Sequence, residues 1–248
     1  MDLGLEGKVA LVTAGSKGIG RGIAEALAAE GAKVAVTSRA TERAEEVAGT
    51  IGGCGYAFDS NDLDAVDGLL EQVQSDLGPI DVYVANTGGP PAGDPLSFTR
   101  EQWAAAQRSL LVSPMAIIER VLPGMRERSF GRVVAIGSMA VREPIDALQL
   151  SNAHRPGLVA AFKVLARQAA GDGVTFNHVH PGQIATDRMI DTAGSLEAAQ
   201  ERAKENVPTG RLGTVEELAA AAVFLCSQQA AYINGTAVLV DGALTRSV

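Results

Sequence analysis

Seven short runs rich in Val, Ala and Ile recur along the chain: KVALVTA (8–14), KVAVTSR (33–39), GYAFD (55–59), IDVYVAN (80–86), GRVVAIGS (131–138), VTFNHVH (174–180) and TAVLVDG (236–242). Most are apolar almost throughout and do not alternate, the pattern of strands covered on both faces by other elements. Ala-rich segments of helical period, about 10 to 20 residues long, separate them, as right-handed βαβ crossovers require. The chain therefore reads as α/β: a single-domain Rossmann fold with a doubly wound, mostly parallel sheet of about seven strands. No break in composition argues for a second unit, so one domain is expected to span 1–248.

In such a sheet ligands bind beyond the carboxyl ends of the strands, after residues 13, 38, 58, 85, 137 and 180 here. All of those places carry small, polar or turn-forming residues. The net charge of −8 argues against non-specific nucleic-acid binding, which calls for a basic stripe. No apolar run reaches the length of a membrane span, and no basic region precedes the first apolar segment. Cys54 and Cys226 lie far apart without ligand spacing, which suits reduced thiols in a cytoplasmic protein.

The first crossover, TAGSKGIG (13–20), follows a strand and opens a helix. Gly15, Gly18 and Gly20 allow a tight turn and close approach to a pyrophosphate, with Ser16, Lys17 and Ile19 between them and helix N–H groups facing the anion. Arg39 ends the second strand, where an acid for a ribose 2′-hydroxyl would stand in an NAD site, and 37–39 hold no acid. With Lys17 it supplies two cations suited to a 2′-phosphate, so NADP(H) is favoured, solvated surface charge being the other reading. Asp59, followed by Ser60, is placed to accept from an adenine amino group or to cap a turn.

This loop, together with VANTGG (84–89), IGS (136–138), HPGQIATD (180–187) and INGTAVLVDG (233–242), resembles the short-chain dehydrogenase/reductase family over essentially the whole chain. Within it the sequence is similar to the 3-oxoacyl-(acyl carrier protein) reductases. The resemblance implies that Asn86 and Gly88 line the adenosine side, and that Pro181, Gly182, Ile184 and Thr186 flank the nicotinamide and its carboxamide. It also implies a small-molecule substrate, a mobile substrate lid over 185–208, and a dimer or tetramer built through the helices around 99–128 and 152–171.

The resemblance fails at the catalytic set of asparagine, serine, and tyrosine followed four residues later by lysine. Ser138 matches the serine. Ser151 stands at the tyrosine position, Arg155 at the lysine and Leu110 at the asparagine. Ser151 and Arg155, at i and i+4, share a helix face only if the helix tolerates Pro156 or has already begun. Arg155 can grip ribose or a substrate oxygen but cannot relay a proton, and Ser151 is a far poorer acid than a phenol. His154 is the group in this stretch that titrates near neutrality; it reaches the pocket or stands at the surface. His178 and His180 share a strand face, and with no carboxylate cluster nearby a metal site is not expected.

Reducing an isolated ketone needs a positioned proton donor, whereas adding hydride to a conjugated C=C gives an enolate that hydrogen-bond donors can stabilise. Two functions stay open: an NADPH-dependent oxidoreductase on a small carbonyl or enone, and a nucleotide-binding sensor or partner subunit with little redox turnover. The rigid loop NTGGPPAGDPLSF (86–98) either shapes the substrate pocket or serves as a stiff connection.

Overall fold

The computed structural model describes residues 1–247. All seven expected strands form: β1 (Val9–Val12), β2 (Lys33–Ser38), β3 (Cys54–Ala57), β4 (Val82–Ala85), β5 (Gly131–Ile136), β6 (Val174–Pro181) and β7 (Ala237–Val240). They make one parallel sheet in the order β3-β2-β1-β4-β5-β6-β7. Most end before the polar residues expected to close them, because those residues turn the chain into the crossovers. The order reverses between β1 and β4, and that switch point opens a crevice at the carboxyl edge.

Between the strands run α1 (Gly18–Ala29), α2 (Thr41–Thr50), α3 (Ala65–Leu77), α4 (Arg100–Gln107), α5 (Ser113–Glu127), α6 (Gln149–Ala169), α7 (Asp187–Ala193), α8 (Leu196–Asn206) and α9 (Val215–Cys226). One sheet face, carrying Leu11, Tyr83, Val133 and Phe176, is covered by α3, α5 and α6. The other, carrying Ala10, Val12, Val84 and Val134, is covered by α1 and α9. Each fully buried Leu, Ile or Phe contributes about 1.5–3 kcal/mol relative to exposure, so this double cover holds the sheet with few aromatics.

Three local features bear on the site. Between α4 and α5 the helix widens into a π-helical turn over Arg108–Val112, with Leu110 buried in it. Helix α6 begins at Gln149 and runs through Pro156, so the helix is already under way before the proline. Asn152 Nδ2 anchors its first turn by donating to Ile145 O at 2.9 Å. The polar segment 185–208 is two helices: Gly194 turns left-handed (φ 93°) and Ser195 Oγ caps a new start by accepting from Ala198 N.

Candidate cofactor and active site

The glycine loop is held to the sheet by side-chain ties at the switch point. Thr13 Oγ1 donates to Asn86 O (2.8 Å), and Asn86 Nδ2 donates to Ala14 O (3.0 Å). Gly15 N donates to Thr37 O (2.9 Å). A Cβ on Gly20 would lie 2.5 Å from both Ala14 O and Asn86 Nδ2, so only glycine lets α1 start this close to β4. The N-cap Lys17 makes no side-chain capping bond, which leaves the first N–H groups of α1 to receive an anion.

A cavity of about 710 Å³ extends from this loop along the carboxyl edge. Ser16 and Lys17 line one end, Arg39, Asp59 and Ser60 the wall, and Gly88 to Pro91 the far side. Arg43, which the sequence reading missed, joins this wall; its place in the first turn of α2, just after Arg39, was the available signal. Asp59 is both wall and turn cap, since Oδ1 accepts from Asn61 N (2.9 Å) and Nδ2 (3.2 Å).

The Pro181–Gly182 turn folds back over the loop. Gly182 N donates to Val240 O (3.0 Å), and Ile184 is buried in a bridge with Gly213. Thr186, the N-cap of α7, stands beside Gly18, whose Cβ position is 3.5 Å from Thr186 Cγ2. Ile19 packs into the core beneath α1.

At the end of β5, Ser138 caps a short 3-10 turn over Met139–Val141, its Oγ accepting from Ala140 N at 3.1 Å. Arg155 Nε donates to Ser151 Oγ (3.0 Å) and its Nη1 donates to Ile136 O (2.7 Å), two residues before Ser138. Ser151 is buried, and because its oxygen accepts from Arg155, its own hydrogen is free to donate elsewhere. Burial pushes the Arg155 guanidinium down to about 10, with the Arg188 charge adding to the effect, and it stays protonated at neutral pH.

His178 and His180 lie buried on the face of β6 turned toward α6, their rings 5.6 Å apart. Burial above all, with His180 and Arg155 adding to it at His178 and Arg155 and Arg142 at His180, lowers them to about 3 and about 4, so both are neutral. His154 stands edge-on to Trp103 of α4, ring centres 5.7 Å apart, and no hydrogen bond links it to Ser151 or Arg155. Burial lowers its pKa as well. Among the described residues no cluster of three or more His, Cys, Asp or Glu is arranged to hold a metal ion, and no helix is long and apolar enough to cross a membrane.

A parallel sheet with a glycine turn at its switch point and a long cavity at its carboxyl edge defines a dinucleotide-binding Rossmann protein. Residues 13–245 match the family model described as enoyl-(acyl carrier protein) reductase. The chain is 35% identical over 242 residues to the 3-oxoacyl-(acyl carrier protein) reductase of Haemophilus influenzae, covering 97% of this chain and 99% of that protein. It is 35% identical to the acetoacetyl-CoA reductase of Shinella zoogloeoides, covering 95% and 97%. The crystal structure of L-sorbose reductase from Gluconobacter frateurii, complexed with NADPH and L-sorbose, superposes with a TM-score of 0.94 at 31% identity and full coverage of both chains. The chain belongs to the short-chain dehydrogenase/reductase family.

Proposed function

We propose that the protein is an NADPH-dependent oxidoreductase acting on a small carbonyl or conjugated enone, with Ser138, Ser151 and Arg155 replacing the tyrosine–lysine chemistry of its family. One observation carries the reading: Arg155 bridges Ser151 to the carbonyl of Ile136, which gathers a guanidinium and a hydroxyl at the strand end that presents Ser138.

The cofactor fits the residues present. A Cβ would fill the cradle at Gly20, and the cavity wall offers Lys17, Arg39 and Arg43 to a 2′-phosphate. Gly15, Ser16, Gly18 and Ile19 shape the pyrophosphate turn. Asp59, Ser60, Asn86 and Gly88 hold the adenosine side, and Pro181, Gly182, Ile184 and Thr186 hold the carboxamide side. The relatives support the choice, since the sorbose reductase structure contains NADPH.

When bound, NADPH supplies the hydride. Ser138 and Ser151 donate hydrogen bonds to the substrate oxygen as it gains negative charge, and Arg155 stabilises that charge without giving up its proton. Leu110 cannot hold a relay water, so the proton comes from solvent: to oxygen after carbonyl reduction, or to carbon after reduction of a C=C. The 3-oxoacyl and acetoacetyl reductases favour the first and the enoyl-reductase family model the second. His154, held against Trp103, positions α6 and exchanges no proton.

Residues 185–208 serve as the substrate lid of a single domain spanning 1–248. The protein works in the cytoplasm as a homodimer or homotetramer through α4, the π-helical turn after it, α5 and α6, where Val112 and Val164 are exposed. Fluorescence titration with NADPH and NADH, followed by NADPH oxidation over a panel of ketones and enones, tests the reading. Tight NADPH binding with turnover is the expected result; binding without turnover on any substrate makes the protein a nucleotide-binding subunit instead.

A further inference from the structure

We infer that Arg188 latches the first turn of α7 across the cofactor cavity, and that the dinucleotide leaves only when this latch parts. The latch deepens the lid reading of 185–208 and presupposes NADP(H) as the cofactor.

Helix α7 opens with contacts to two sides of the cavity. Thr186, its N-cap, stands against Gly18 of the glycine loop, next to Lys17 at one end of the cavity. Two residues on, Arg188 reaches the far side, where its Nη2 donates to Pro90 O at 2.9 Å. Gly89 and Pro90 both line the cavity. The start of α7 is therefore a bar between the glycine loop and the wall facing it.

The seat for the arginine is specific. A side chain on Gly89 would collide with Nη1 and Cζ of Arg188, because the guanidinium fills the place its Cβ would take. The backbone at Gly89 is not left-handed, so the arginine and not the turn calls for glycine here. Among the described residues no carboxylate lies within ion-pair distance of Arg188 to draw it elsewhere.

The two sides of the latch differ in stiffness. Pro90 and Pro91 restrict the loop, and Gly93 N donates to Ala147 O (2.9 Å) in a bridge with Leu148, the N-cap of α6. Helix α7 carries no buried residue and ends at the left-handed Gly194. It joins the lid cluster through the half-buried Met189 and Ala193. An element with so little buried surface opens at low cost, so one hydrogen bond to a rigid wall is a sizeable share of what holds it down. Opening of such a lid sets the rate of product release in many enzymes.

The test is NADPH release from the full chain, followed by stopped-flow fluorescence as the complex is chased with excess NADP⁺. Arg188→Ala should raise the release rate about five- to tenfold, the worth of one hydrogen bond. Gly89→Ala should do the same, since its methyl evicts the guanidinium while the arginine itself remains. The two together should give no more than either alone. Arg188→Lys, which can still donate to Pro90 O, should fall between Arg188→Ala and the wild type. Amide hydrogen exchange over 187–193 in the free chain should quicken in both single variants. That arm needs no cofactor, so a chain that fails to bind NADPH refutes the cofactor reading while exchange still judges the latch. An unchanged release rate or unchanged exchange in Arg188→Ala would overturn the inference. So would additive effects, or faster release in Arg188→Ala not shared by Gly89→Ala, the mark of an arginine that touches the cofactor itself.

Discussion

Arg155 Nε donates to Ser151 Oγ at 3.0 Å, one helical turn away, while Nη1 of the same side chain donates to Ile136 O at 2.7 Å. In the proposed mechanism this fixed hydrogen-bonding unit takes the place of the family's proton donor and its cationic neighbour. Removing the guanidinium strips the developing oxyanion of its cation and leaves Ile136 O unpaired. Arg155→Ala should lower kcat/KM about 100-fold or more, in line with the loss of one oxyanion donor. Arg155→Lys, which keeps the charge and loses the fork, should fall between that variant and the wild type. Steady-state kinetics paired with cofactor titration would separate the two effects.

In the proposed reading cofactor choice rests on Arg39, the residue after β2, flanked in the cavity by Lys17 and Arg43. In Arg39→Asp a carboxylate faces the place of the 2′-phosphate, and the ratio of kcat/KM for NADPH over NADH should fall about 100-fold, as like charges at close range cost several kcal/mol. An unchanged ratio would show that the wall cations do not read the phosphate.

The close approach of α1 to β4 gives a stability prediction. In Gly20→Ala the new methyl would lie 2.5 Å from Ala14 O, so the loop must shift away from Asn86. Thermal unfolding should show a loss of about 1–3 kcal/mol, typical of overpacking, and NADPH titration should show a larger loss of affinity. A variant binding NADPH as the wild type does would mean that the cradle has slack.

Histidine burial sets an acid limit on stability. His178 and His180 have folded values of about 3 and about 4 against an ordinary value near 6.5, so the unfolded chain takes up their protons first as pH falls. Their contribution is complete above about pH 6.5 and declines below it by about 1.4 kcal/mol per pH unit per histidine. The Arg155 charge disfavours the cation of both histidines, and the Arg142 charge that of His180. Denaturant unfolding at about pH 7.5 and pH 5.5 should differ by about 3 kcal/mol, above the range where unfolded carboxylates titrate. His180→Asn should roughly halve the dependence, leaving the share of His178, and equal stabilities of the wild type at both pH values would contradict it.

The strands were legible because continuous apolar runs such as 9–12 and 82–85 carry their own signature, and the glycine loop was legible because strand, turn and helix meet in eight residues. The break of 185–208 at Gly194 could have been read from Gly followed by Ser, an end signal followed by a start signal. The contact of Arg188 with the Gly89–Pro90 turn could not. Arg188 meets Gly89 across about a hundred residues of chain, and a spacing rule for helices or strands carries no information about such a contact. Pro156 left two readings open, and the structure takes the one in which the helix has already begun, anchored at Asn152 before the proline.

The central claim is that hydride transfer proceeds here without tyrosine and lysine, on a hydrogen-bonding set tied together by Arg155. NADPH oxidation with ketone and enone substrates, in the wild type and in Ser151→Tyr/Arg155→Lys, tests it most directly. The account predicts turnover by the wild type and a sharp loss on Arg155→Ala at unchanged fold. A wild type that binds NADPH but oxidises it with no substrate, while the tyrosine–lysine variant becomes active, would contradict it.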